Sequence, residues 1–132
     1  MEPDDHLARF ILSRREFSPT HRRVKAVAFL PESRGSTTSV FRIAGLAEPE
    51  IWKIGEKVAD LREKTLHARA DVTVWKVQEV GLSLDPDDTP PRHANIRGWP
   101  SDKAEQLSIA QQLAASAVLQ LPHGEPGGSP AG

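Results

Sequence analysis

The 132-residue chain contains no cysteine and no tyrosine, and only one methionine. Without thiols it can build neither a disulfide framework nor a thiolate metal site, and cysteine nucleophiles are excluded. No apolar run approaches the roughly 18 residues that a membrane helix needs. Phosphate-cradling and acyl-transfer signatures are missing too: there is no P-loop, no G-x-G-x-x-G and no G-x-S-x-G. The opening residues Met1-Glu2-Pro3-Asp4-Asp5 are acidic and lack the basic-then-apolar order of an export signal. The expectation is a soluble cytoplasmic protein that uses no cofactor.

What is present suffices for one core. Hydrophobic residues make up 38% and charged residues 27%, a balance that fits a globular domain and not a disordered chain. The net charge of −1 conceals an uneven distribution. Residues 6–44 carry eight basic side chains (Arg9, Arg14, Arg15, Arg22, Arg23, Lys25, Arg34 and Arg42) against Glu16 and Glu32. The next stretch, to residue 90, is acidic by four charges. Such asymmetry marks either a surface for an anionic partner or two charged faces that meet in the fold. Arginine dominates the basic part, and its planar fork suits phosphate or carboxylate.

Read in order, the spacing predicts an α+β domain over residues 6–121 with a small, mostly antiparallel sheet and two helices packed on it. Residues 1–5 are expected to form a flexible N-terminus and 122–132 a Gly/Pro-rich tail. Residues 6–13 fit a short helix or a strand equally well. Residues 23–30 and 37–44, separated by Pro31-Glu32-Ser33-Arg34-Gly35-Ser36, read as a hairpin. A helix over about 49–64 starts at Pro49 with Glu48 and Glu50 at its positive end and carries the stripe Ile51, Ile54, Val58, Leu61. Strands are expected near 71–77, 80–85 and 92–98. In the first of these the alternation of Val72 and Val74 breaks at Trp75, a sign of a bulge or a change of element. A last helix, about 102–120, has Asp102 as cap with Glu105 three residues on, and the stripe Leu107, Ala110, Leu113, Ala114, Ala117, Val118 and Leu121. Trp52 and Trp75 read as core residues.

The densest stretch runs from Asp85 to Pro100, with three acids, four prolines, two arginines and a histidine in sixteen residues. Its acids and His93 could face a hard cation, but the spacing is not that of a known site. As turn and capping residues Asp85, Asp87 and Asp88 need no metal, and none is assigned. Trp99 could stack on a base or a sugar, or anchor the core. His67-Ala68-Arg69 and Arg92-His93-Ala94 put a histidine and an arginine at two predicted strand entrances. Two histidines flanked by arginines could cleave a phosphodiester without a metal, one removing a proton and one donating it.

Three functions follow as expectations. The first is a small binding module that contacts an anionic partner, nucleic acid or an acidic protein surface, through Arg14, Arg15, Arg22, Arg23, Lys25, Arg42, Arg69 and Arg92. The second is a phosphodiester- or nucleotide-processing enzyme with His67 and His93 as acid and base. The third is an immunity- or antitoxin-type subunit that binds another protein.

Overall fold

A computed structural model describes residues 1–32 and 36–122, so the tail from 123 onward lies outside the described residues. Six strands form one sheet: β1 (His6–Ile11), β4 (Thr38–Arg42), β5 (Ala68–Thr73), β6 (Ser83–Pro86), β7 (His93–Arg97) and β8 (Val118–Gln120). Their order is β6-β7-β4-β1-β5-β8, and each neighbouring pair is antiparallel. A separate two-stranded ribbon joins β2 (Phe17–Ser18) to β3 (Arg23–Val24). The helices are α1 (Glu48–Leu61), α2 (Val74–Glu79) and α3 (Lys103–Ser116). This is a small α+β domain, as its composition of strand and helix signals implies. Among the described residues no helix is long and apolar enough to cross a membrane.

Two layers of side chains cover the sheet, one on each face. Ala8, Phe10, Phe41 and Ile43 point toward α1 and bury Ile51. Leu7, Ile11, Val40, Ala70, Val72, Ala94 and Ile96 point the other way, onto Val74 and Val77 of α2, Ala110 and Leu113 of α3, and Phe17 and Val24 of the ribbon. Because β1 is buried on both faces, its apolar residues do not alternate, and periodicity could not separate strand from helix there. Pairing with β4 and β5 decides it: β1 is one of the two central strands of the sheet.

The expected 23–30/37–44 hairpin is not formed. Val24 pairs with Phe17, and β4 lies between β1 and β7. Residues Ala26–Ala28 curl into a 3₁₀ turn instead, and side chains capture the carbonyls that follow. Arg9 donates from Nε to the Ala28 carbonyl at 2.8 Å, and the Thr38 hydroxyl to that of Phe29 at 2.7 Å. Those bonds replace a strand ladder, and they seat the fully buried Phe29, whose side chain is worth about 1.5–3 kcal/mol of burial.

The break at Trp75 is a change of element. Thr73 caps α2 by accepting from the Lys76 amide at 3.1 Å, and Trp75 turns outward, 54% exposed, so it is not a core residue. Gly81 closes the helix at φ +88, a left-handed value that disfavours any side chain. The carbonyls of Pro3 and Asp5 accept from the amides of Trp75 and Val74, which ties part of the N-terminal segment to this helix.

Helix α1 begins where Glu50 reaches back to the Ala47 amide at 3.0 Å. Its inward line is Ile51, Gly55 and Ala59, with Ile54 and Val58 half-buried beside it, while Leu61 stands 80% exposed. In α3 the Asp102 carboxylate accepts from the Glu105 amide at 2.9 Å. The buried line is Gln106, Ala110, Leu113 and Ala114, rotated away from Leu107, and the Gln106 side-chain nitrogen donates to the Pro100 carbonyl at 2.7 Å. The helix ends at Ser116, and Val118–Gln120 add an edge strand to β5, where the sequence suggested more helix.

Candidate functional site

The eight cations expected to bind an anion fall into two groups. Arg69 is sealed against the sheet: its guanidinium grips Glu48 with two nitrogens (2.9 and 2.8 Å) and Asp71 at 3.0 Å, and lies 4.9 Å from the Trp52 ring centre. Burial alone would lower its pKa, but the bonds to Glu48 and Asp71 win and raise it. The bond from Arg69 in turn holds the Glu48 carboxyl below the usual carboxylate range. Arg42 pairs with Asp88, and Arg92 donates to the Arg42 and Ala44 carbonyls. These three arginines are structural ties.

The other five lie on one segment, residues 14–25. Arg14 and Arg15 occupy a 3₁₀ turn capped by Ser13, whose hydroxyl accepts from the Arg15 amide at 3.2 Å. Arg22 and Arg23 sit at the end of the ribbon turn, and Lys25 is joined to Glu16 by its amide at 2.9 Å. All five are exposed, and none forms an ion pair among the described residues. Glu16, the one acid in the segment, does not neutralise them. It is half-buried, turned toward Arg9, Lys64 and Arg62, and burial pushes its carboxyl up. Phe17 and Val24 point into the core, so the ribbon is anchored from below while its charges face out. Arg22, Arg23 and Lys25 line one wall of an open groove; Gln111, Ala114 and Ala115 of α3 form the other.

The structure does not bring His67 and His93 together. His67 precedes β5, its amide bonded to the Ile11 carbonyl and its ring 6.1 Å from that of Phe17. His93 opens β7, level with Phe41, Ala8 and Asp71 across the sheet. Three strand spacings and four residues along a strand separate them, about 19 Å between backbones. One substrate atom group cannot span that gap, so this pair supplies no joint acid and base. Their flanking arginines, Arg69 and Arg92, are both engaged elsewhere.

His93 instead has partners that the sequence did not suggest. Its Nδ1 lies 2.7 Å from Asp87 Oδ1 and its Nε2 2.6 Å from the Ser39 hydroxyl. Asp87 is fixed in turn: Thr89 donates its amide to Oδ1 at 3.1 Å and Asn95 its side-chain nitrogen to Oδ2 at 3.2 Å. The Thr89 amide and His93 hold the Asp87 carboxyl below the usual range. The neighbouring acids diverge, Asp85 to Arg97 at 2.9 Å and Asp88 to Arg42. Among the described residues no group of three or more His, Asp or Glu side chains is placed to hold a metal ion.

Trp99 packs at the edge of the larger core cluster, and its indole nitrogen is buried without an acceptor among the described residues. Ser39 is the residue that sequence reasoning missed. It reads as filler in Thr37-Thr38-Ser39-Val40, and its partner lies 54 positions away across a pairing that no local signal encodes. The chain matches no protein-family model, no curated protein and no solved structure at a significant level.

Proposed function

We propose that this domain is a binding module for a polyanion, nucleic acid in the first instance, and that Arg14, Arg15, Arg22, Arg23 and Lys25 make the contact. One observation carries the reading: these five cations are exposed on one anchored segment and form no ion pair among the described residues, while Arg42, Arg69 and Arg92 are consumed by partners within the fold. A surface that needed its cations only for solubility would have no reason to gather four arginines and a lysine over twelve residues around a single acid, Glu16, that is turned toward Arg9, Lys64 and Arg62 instead. The groove beside α3 lets an extended backbone approach, since alanines line its far wall. Contacts of this kind position a phosphate chain without reading its bases, so the expected binding is strong at low salt and weakly selective. The cytoplasm, expected for a chain without cysteine, is where such a partner would be met.

The test is a titration of fluorescent duplex DNA and single-stranded RNA at increasing salt. Binding whose affinity falls linearly on logarithmic axes supports the reading. Absence of binding at low salt by folded protein removes nucleic acid. Binding to polyglutamate but to neither nucleic acid would turn the reading toward an acidic protein surface.

A further inference from the structure

We propose that Ser39, His93 and Asp87 form a second, hydrolytic site that transfers a short acyl group from an ester to water through the Ser39 hydroxyl. This proposal uses none of the five surface cations and stands or falls apart from the polyanion reading.

The geometry is that of a nucleophile, a base and an orienting acid in series. Asp87 Oδ1 at 2.7 Å accepts from Nδ1 of His93, which leaves Nε2 as the acceptor for the Ser39 hydroxyl at 2.6 Å. Both distances fall within the reach that proton transfer requires. The order is set by the sheet. Ser39 and Phe41 alternate on one face of β4, and the antiparallel register with β7 puts His93 opposite Phe41, one diagonal step from Ser39. The Phe41 ring, 5.3 Å from the imidazole and edge-on, limits how the ring can turn. Asp87 is held at the start of its turn by the Thr89 amide and by Asn95, so the acid that orients the base is itself oriented. The imidazole is only 13% exposed, which protects these bonds from competing water.

Ser39 also lines a small cavity. The β1–β4 ladder pairs Leu7 with Arg42 and Ala8 with Phe41 and then opens, and Arg9 donates from Nη1 to the Ser39 carbonyl at 2.9 Å across the gap. The opening leaves a hollow of about 80 Å³ whose lining includes Ser39, Phe10, Val58, Arg9, Arg62, Lys64 and the carboxylate Glu16. A water occupies about 30 Å³ of liquid, so the hollow has room for roughly two or three heavy atoms, the size of an acetyl-class group. Its apolar wall suits the acyl methyl. Its three cations outnumber its one carboxylate, Glu16, a balance that favours the negative oxygen that develops on the acyl carbon.

The reaction balances without an added reagent. Ser39 Oγ bonds to the acyl carbon as its proton passes to His93 Nε2. The carbon–oxygen bond to the alcohol then breaks, and His93 returns the proton to that departing oxygen. Water, deprotonated by His93, attacks the acyl carbon, the bond to Ser39 Oγ breaks, and Ser39 regains its hydrogen. The sum is ester plus water giving acid plus alcohol. Ser39 and His93 are the catalytic residues; Asp87 and Asn95 are positioning residues.

The experiment treats the full chain with a small ethyl fluorophosphonate, maps the adduct by mass spectrometry, and follows hydrolysis of p-nitrophenyl acetate. Expected is one adduct, on Ser39, lost together with turnover in Ser39→Ala. His93→Gln, which can keep hydrogen bonds to both neighbours, should slow labelling and turnover about 10²–10⁴-fold, the usual worth of a positioned base. Asp87→Asn should slow both, and Asp87→Glu should recover part of the loss, which a merely structural role would not require. No adduct on folded protein, an adduct on another residue, or His93→Gln reacting at the wild-type rate would each overturn the proposal.

Discussion

Arg69 and Arg23 are the same residue type used in opposite ways. Arg69 is 2% exposed, gripped by two carboxylates and laid against Trp52. Arg23 sits across from Ser18 at the outer face of a two-residue strand, with no acid near it among the described residues. In the first region the charge is solved inside the fold and the residue is architecture. In the second the fold holds the backbone and leaves the charge for something else. Counting arginines along the sequence treats the two alike; partners separate them.

The largest effect expected is at the paired end of this contrast. Arg69→Met removes the cation from between Glu48 and Asp71, and Asp71, with its side chain 8% exposed, is left as an uncompensated buried charge. Losing one partner of such a pair costs about 3–5 kcal/mol. Urea denaturation at neutral pH checks it. A loss under 1 kcal/mol would mean that the arrangement is not the tie described.

Next is the seat of α1, the helix that carries Glu48 and Trp52 to Arg69. A Cβ on Gly55 would meet two carbons of the Phe10 ring at 2.7 Å. Gly55→Ala should destabilise by about 1–3 kcal/mol through overpacking, although alanine in a helix interior would otherwise gain roughly 0.5–1 kcal/mol over glycine. A more stable variant in the same denaturation assay would show that α1 can move off the sheet, and the Glu48–Arg69 contact with it.

A smaller effect comes with pH. The Glu48 carboxyl is held below its usual range by its bond from Arg69, so the folded state releases this proton more readily than the unfolded chain does. The stabilisation is therefore complete above the ordinary glutamate value, about 4.3, and is lost as the pH falls through the depressed folded value. Compared with Glu48→Gln, the wild type should be more stable at pH 7 by no more than about 1 kcal/mol, since the Glu48 side chain is 63% exposed and solvent screens the pair. The two should converge in acid. Thermal melts from pH 7 to 3 measure the gap, and a gap independent of pH would contradict the pairing.

At the unpaired end the effect on stability should nearly vanish. Arg22→Ala with Arg23→Ala touches no partner among the described residues and should move stability by less than about 0.5 kcal/mol per site. A larger loss would mean that these side chains belong to the architecture after all.

How much of this was readable from the residues depends on distance along the chain. Asp102 as cap, the start of α1 near Pro49 and the break at Trp75 are local signals, and each marks a real boundary. The α+β class follows from the same local signals. The partner of Val24 was not local: residues 23–30 look like a strand, yet the Ala28 and Phe29 carbonyls are claimed by Arg9 and Thr38 from elsewhere. Trp75 failed as a core residue because the period changes from strand to helix one residue before it, turning its side chain outward. In the sites, the exposed cations were legible as charge but not as free charge. His93 was legible as a candidate, while the identity of its partners required a register between strands over fifty residues apart.

The contrast itself is tested by the salt dependence of DNA affinity in three proteins: wild type, Arg22→Ala/Arg23→Ala, and a control with Arg42→Ala/Arg92→Ala. Each phosphate contact contributes about 0.9 to the slope of log affinity against log salt on duplex DNA. The account predicts a slope shallower by about 2 in the first variant and a slope unchanged in the control. Equal flattening in both variants, or a wild type that binds no polyanion at low salt, would contradict it.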